Sequence, residues 1–294
     1  MRPSFRAALL FTICIGCTPG AVIDGPAPVA APKGTLLQTC MWSWGSDGAT
    51  ESSYVVDLDR KKMVSQVDRR TPSKKTPECA HRRVERKKHD LQTYNRLLER
   101  FSNRTTPGEH HKELAAMLEW IERSTKWGAS RANAFEASPD GRYGIFSTTS
   151  RPILLIDVET LRTRVLVKGH SYLDTPIAWA PDSRVFALAA PESDEISIFR
   201  AEDAAVVAKK RTYGSRIGTL AWSSDMQQIA AFGFQNRRMN KSPLGLLFAA
   251  AGHPEFRNDG VIEIYILMDE NRWSLPLAFG ITEMSSPSVE IEWK

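Results

Sequence analysis

The feature that most limits what this chain can fold into is a segment that recurs. FEASPDGRYGIFST begins at Phe135, IAWAPDSRVFALAA at Ile177 and LAWSSDMQQIAAFG at Leu220. Their turn positions, Pro139, Pro181 and Ser224, are spaced 42 and then 43 residues apart. Each copy reads as a short apolar strand, a Pro-Asp-Gly or Ser-Asp turn, a second strand, a polar turn and a third strand. The third strands are ILLIDVE from Ile153, EISIFRA from Glu195 and VIEIYIL from Val261, with β-branched or aromatic residues at alternate positions. Asp140-Gly141 suits a tight reversal, because glycine tolerates positive φ and aspartate bonds its own backbone. The unit is a small antiparallel sheet, and its period is the length of one propeller blade.

A weaker copy lies upstream. SYVVDLDRKKMVSQV from Ser53 reads like ILLIDVETLRTRVLV from Ile153, with Asp57 in the place of Asp157, and LLQTCMWSW from Leu36 adds a strand before it. The terminal SVEIEWK, Ser288 to Lys294, has no hairpin partner after it. Pairing with the N-terminal strands would cover an exposed edge and close the ring. The expected fold is mainly β: a β-propeller-like array of about four antiparallel blades, closed or incomplete.

Gly169-His170 followed by Trp179-Ala180-Pro181-Asp182 resembles the Gly-His entry and Trp-Ser-Pro-Asp turn of WD-repeat and related β-propeller families. Asp194 and Asp259 stand where such blades often carry a structural aspartate. Only one Gly-His, Gly169-His170, precedes such a turn, and no third strand ends in Trp-Asp. The resemblance spans Phe135 to Lys294 and implies a fold, not a function.

Two segments interrupt the β pattern. In HDLQTYNRLLERF the apolar residues Leu91, Tyr94, Leu97, Leu98 and Phe101 share one helical face. A second helix is expected in TPGEHHKELAAMLEWIERSTKW, with Thr106 as cap, Pro107 in the first turn, Glu109 completing a capping box, and an apolar face of Leu114, Met117, Leu118 and Ile121. Together they form an inserted helical hairpin on the flank of the array. The other insertion, Gln235 to Asp259, carries the apolar run LGLLFAAAG from Leu244, with Arg237, Arg238 and Lys241 before it and Arg257 after it. Such a run in a loop covers its own domain or docks into a partner.

The N-terminus reads as an export signal. Arg2 and Arg6 precede an apolar run, Ala7 to Gly16, that is too short for the roughly 20 residues of a membrane span. Ile15-Gly16-Cys17 resembles the lipobox of bacterial lipoproteins, with Cys14 where that family usually has leucine. The resemblance implies lipidation of Cys17, and Thr18 after it implies the outer membrane. The Pro- and Ala-rich stretch that follows is a tether. Cys40 and Cys79 remain as a disulfide pair in a compartment where such bonds persist, the alternative being two buried thiols. The chain thus divides into a signal peptide (1–16), a lipidated tether (17–33), an N-terminal β unit with a basic segment (34–87), the helical hairpin (88–128) and the propeller-like repeats (129–294).

Charge concentrates in one place. Arg60 to Asp90 holds twelve Lys or Arg against four Asp or Glu, so this stretch carries +8 and the rest of the chain −3 of the total of +5. Such a run is either a solvated face or a contact for an acidic protein or anionic lipid. Nucleic acid is not expected, because the signal exports the chain and no aromatic residues interleave these charges.

No catalytic, phosphate-binding or dinucleotide motif is present, no metal or cofactor is implied, and adjacent His110 and His111 point in different directions on a helix. Asp57, Asp157, Asp194 and Asp259 read as periodic turn devices. The expected function is a non-catalytic protein-binding module of the bacterial envelope, held on the periplasmic side of the outer membrane through its lipid anchor. An immunity protein against an envelope-targeted toxin is one concrete form. The expected contacts are Arg237, Arg238, Leu244, Leu246, Leu247 and Phe248 in the insertion, with Arg82, Arg83, Lys87 and Lys88 in the basic segment. The alternatives are an envelope hydrolase or lyase with residues at the propeller's central face, and a structural subunit of an envelope complex.

Overall fold

A computed structural model of the chain describes residues 36–45, 48–58, 60, 62–71, 81–103, 111–125, 134–147, 152–168, 175–189, 195–211, 216–238, 256–266, 272–277 and 288–293. They form four antiparallel sheets of four strands and two helices. Three sheets follow chain order: β4 (Phe135–Ala137) to β7 (Thr163–Val167), with β5 (Tyr143–Phe146) and β6 (Ile153–Asp157) between; β8 (Ile177–Trp179), β9 (Val185–Ala189), β10 (Glu195–Arg200) and β11 (Val206–Arg211); and β12 (Arg216–Trp222), β13 (Gln228–Arg238), β14 (Phe256–Ile266) and β15 (Arg272–Leu277). The fourth sheet joins both ends of the chain in the order β16 (Ser288–Trp293), β1 (Leu36–Gly45), β2 (Gly48–Asp57) and β3 (Lys62–Thr71). The C-terminal strand pairs with β1 from Leu37↔Trp293 to Trp42↔Ser288, as the orphan strand in the sequence required.

The repeat is written in the backbone as well as the sequence. Gly141, Ser183 and Met226, at φ 69°, 63° and 61°, close the same turn in three successive sheets. Leu161 and Ala204 do so for the later turn, at φ 60° and 59°. The turn aspartates behave as expected: Asp140, Asp182 and Asp225 each accept the N–H two residues on, at 2.9, 3.0 and 3.1 Å. Asp157 Oδ1 accepts from Glu159 N and Thr160 N, and Asp57 Oδ1 from Arg60 N, so the weak N-terminal copy uses the same device.

The helices α1 (His81–Ser102) and α2 (His111–Thr125) lie between β3 and β4 in the chain. The helical period extends seven residues further upstream than the apolar pattern shows, so the basic residues 81–87 belong to α1 and not to the β unit. Tyr94, Leu97, Leu114, Met117, Leu118 and Ile121 are buried, and Leu98 and Phe101 partly so, while Leu91 remains 40% exposed. These side chains pack on one face of the β4–β7 sheet, against Phe135, Phe146, Leu154 and Ile156. The other face of that sheet, through Tyr143, Ile145, Ile153 and Leu155, packs on Ile177, Phe186, Leu188 and Phe199 of the next. The alternation of side chains along each strand supplies both faces.

Packing continues around. Ala187, Ile196 and Ile198 meet Ile217, Leu220, Trp222 and Ile229 of the β12–β15 sheet. Trp222 Nε1 donates to Ala178 O at 2.9 Å and Trp293 Nε1 to Ala221 O at 3.0 Å, so a tryptophan at the same blade position links successive sheets. Arg86 on α1 then reaches Glu290 on β16. The array is an incomplete propeller of four sheets, and the inserted hairpin lies against a face of the β4–β7 sheet, with Arg86 reaching β16.

Candidate functional site

Two places in the described residues concentrate features beyond packing. The first is the seam where α1 meets β4 and β16, the innermost strands of their sheets. Arg86 Nη2 donates to both oxygens of Glu290, at 2.6 and 2.5 Å. One turn on, Asp90 is fully buried: its Oδ1 accepts the Ala137 N–H at 2.9 Å, and Lys87 Nζ stands 3.5 Å from its Oδ2. His89 Nε2 lies 2.9 Å from Ser138 O, and Arg96 Nη2 donates to Gly141 O, so α1 grips the β4–β5 turn from end to end.

Glu136, between the two halves of this cluster, is half-buried. Burial pushes its carboxyl up from 4.5 to about 7, and the pull of Arg86 and Lys87 offsets only part of that. Burial likewise raises Asp90, against the Ala137 N–H and the two cations. Burial works against the charge on Arg86, but Glu290, Glu136 and Asp90 outweigh it and hold the guanidinium more firmly protonated than usual. Sequence reasoning missed this cluster, because its members are 204 residues apart at the extreme and no local motif marks them.

The second place is the end of the β12–β15 sheet. β13 and β14 are 11 residues each, against five and six for β9 and β10. Their ladder runs on through Gln235↔Asp259, Asn236↔Asn258, Arg237↔Arg257 and Arg238↔Phe256. The insertion thus begins and ends as a two-stranded ladder that runs past the last pairs of β12 and β15 and carries Arg237, Arg238 and Arg257. Leu244, Leu246, Leu247 and Phe248 lie outside the described residues.

The remaining predicted positions are dispersed. Arg82 is in the first turn of α1 and Arg83 is half-buried there. Lys87 faces Asp90, and Lys88 pairs with Glu85 at 2.5 Å. Of the described part of the basic segment, Lys62, Arg69 and Arg70 lie on the edge strand β3 and Arg82, Arg83, Arg86, Lys87 and Lys88 on α1. Cys40, on β1, is buried and disulfide-bonded. Cys79, Cys17, Asp194 and the Gly169-His170 pair lie outside the described residues. Among the described residues no helix is long and apolar enough to cross a membrane.

A scan of protein-family models finds no match, and a search of curated proteins finds none either. Among solved structures the chain is similar to the β-propeller domain of Myceliophteria thermophila Cps50 (Swd1), at 11% identity and a TM-score of 0.33. The match covers 49% of this chain and 38% of that one, so the chain spans well under half of its structural neighbour. The propeller-like architecture itself rests on strand order, register and the repeated turns.

Proposed function

We propose that the chain is an exported, lipid-anchored, non-catalytic protein-binding module of a bacterial envelope, and that the β13–β14 arm is its principal contact. The observation that carries this reading is the β13–β14 ladder, which runs on to Arg238↔Phe256 beyond the pairs of both neighbouring strands, β12 and β15. A two-stranded ladder without further strands beside it is marginal alone. A partner is the natural cover for the apolar residues between its strands. The rest of the ring supplies rigidity, which limits what is lost on binding.

The anchor at Cys17 and a location on the periplasmic side of the outer membrane follow from the lipobox resemblance. Neutralising an envelope-targeted toxin is the narrower form of this function, because it needs a small exported binder and no chemistry. A second reading draws on Glu136, whose carboxyl near 7 suits a general acid or base and would make the seam of α1 with β4 an envelope hydrolase or lyase site.

The test is affinity purification of the tagged protein from its native envelope fraction, beside a variant lacking Leu244 to Gly252. A near-stoichiometric partner that disappears with the deletion supports the reading. A full-length protein that elutes alone overturns it.

A further inference from the structure

The last rungs of the β13–β14 ladder gather like charge. Arg237 on β13 stands directly opposite Arg257 on β14, and Arg238, opposite Phe256, follows it. Arg216, opposite Phe234 in the last pair of β12, lies at the base of the same stretch. Against these four arginines, the rungs from Phe234↔Gly260 to Arg238↔Phe256 bring one carboxyl, that of Asp259. Like charges directly opposite each other weaken an antiparallel pair. This pair also sits where the ladder has lost both neighbouring strands. β12 last pairs at Phe234 and β15 at Gly260, so among the described residues no strand pairs with the outer edges of 235–238 and 256–259.

We propose that this stretch binds an extended acidic segment of a partner protein, whose carboxylates neutralise the Arg237–Arg257 pair. The inference rests on the β13–β14 arm being the contact, and it adds the chemistry of what the arm takes. All four cations are arginines, and the planar guanidinium fork matches a carboxylate through two parallel hydrogen bonds. A phosphate or a lipid headgroup would answer the charge alone. A polypeptide also supplies N–H and C=O groups to the open edges, as strand addition does. Binding removes the cross-strand repulsion, so the part of the ladder that is weakest in the free protein pairs more firmly in the complex. Attraction of this kind speeds encounter and falls with added salt.

Hydrogen exchange of the full chain reads the state of this ladder in peptides from β13 and β14. Poly-L-glutamate at low salt is expected to slow exchange there about two- to fivefold, the size of one cross-strand charge effect, and the slowing should vanish at about 0.5 M salt. The double variant Arg237→Gln/Arg257→Gln should exchange more slowly than the wild type without the probe and gain nothing from it. Vesicles of phosphatidylglycerol should leave the ladder unchanged. No slowing by poly-L-glutamate, slowing that persists in the double variant, or equal slowing by the vesicles overturns the proposal, the last in favour of an anionic lipid. In native envelopes the double variant should lose the partner. If it keeps the partner while the variant lacking Leu244 to Gly252 loses it, the acidic segment is refuted and the arm remains the contact; if both keep it, the arm reading itself fails.

Discussion

Gly144 offers the sharpest test of how the hairpin is seated. A Cβ at this position would fall within the Phe135 ring, far closer to Cζ and Cε2 than side chains approach. Phe135 has nowhere to go: it is 1% exposed, its centroid is 5.6 Å from Tyr94 on α1 and 5.0 Å from Phe146, and both are buried. Gly144→Ala should therefore cost about 1–3 kcal/mol, the usual range for overpacking a filled core. Phe135→Ala alone should cost about 3–5 kcal/mol. In the double variant the new methyl occupies space that the ring has left, so the second substitution should add about 0.5 kcal/mol or less. Urea unfolding of both single variants and the double closes the cycle, with an expected coupling of about 1–3 kcal/mol. Additive costs, within about 0.5 kcal/mol, would refute the packing of the Phe135 ring on Gly144 beneath Tyr94 of the hairpin.

Other expectations follow from single contacts. Trp222→Phe keeps an aromatic ring but removes the indole donor to Ala178 O, and should lower stability by about 0.5–1.5 kcal/mol in the same assay. Ala204→Gly, at φ 59°, relieves left-handed strain of about 1–2 kcal/mol against a smaller entropic loss. A small gain in thermal midpoint is expected, and a clear loss would contradict it. Glu136 holds its proton in the fold from its ordinary 4.5 up to about 7, so its contribution is lost as pH rises through that window and is level above it. The stability difference between wild type and Glu136→Gln should shift by at most about 3.4 kcal/mol between acid and pH 8, and a flat difference would sink the assignment.

Much of this architecture is legible in the chain because the repeat carries it. The 42- and 43-residue spacings, the Asp-based turns and the unpartnered SVEIEW strand mark the sheets and predict their closure. The α2 face is read residue for residue, from Leu114 to Ile121. On α1 the charged first turns hide the helix start, since His81 to Lys88 contribute almost no apolar period. Leu91 misleads for a related reason: it has the right spacing but sits at the edge of the stripe. The arm was marked by an insertion and a broken period, whereas the seam of Arg86, Asp90, Glu136 and Glu290 depends on ring closure. Four charged residues on three separate elements leave no trace in spacing. That the hairpin covers one face of the β4–β7 sheet while the next sheet covers the other is likewise a tertiary fact, fixed by both faces being apolar.

The central claim is that the chain acts by binding through its β13–β14 arm and not by chemistry at the centre of the ring. The direct measurement is quantitative co-purification from native envelopes of three proteins at matched expression: wild type, the variant lacking Leu244 to Gly252, and Glu136→Gln. Partner loss confined to the arm variant, with Glu136→Gln retaining it in full, is the predicted result. Full retention by the arm variant, or loss on changing Glu136 alone, would contradict the claim.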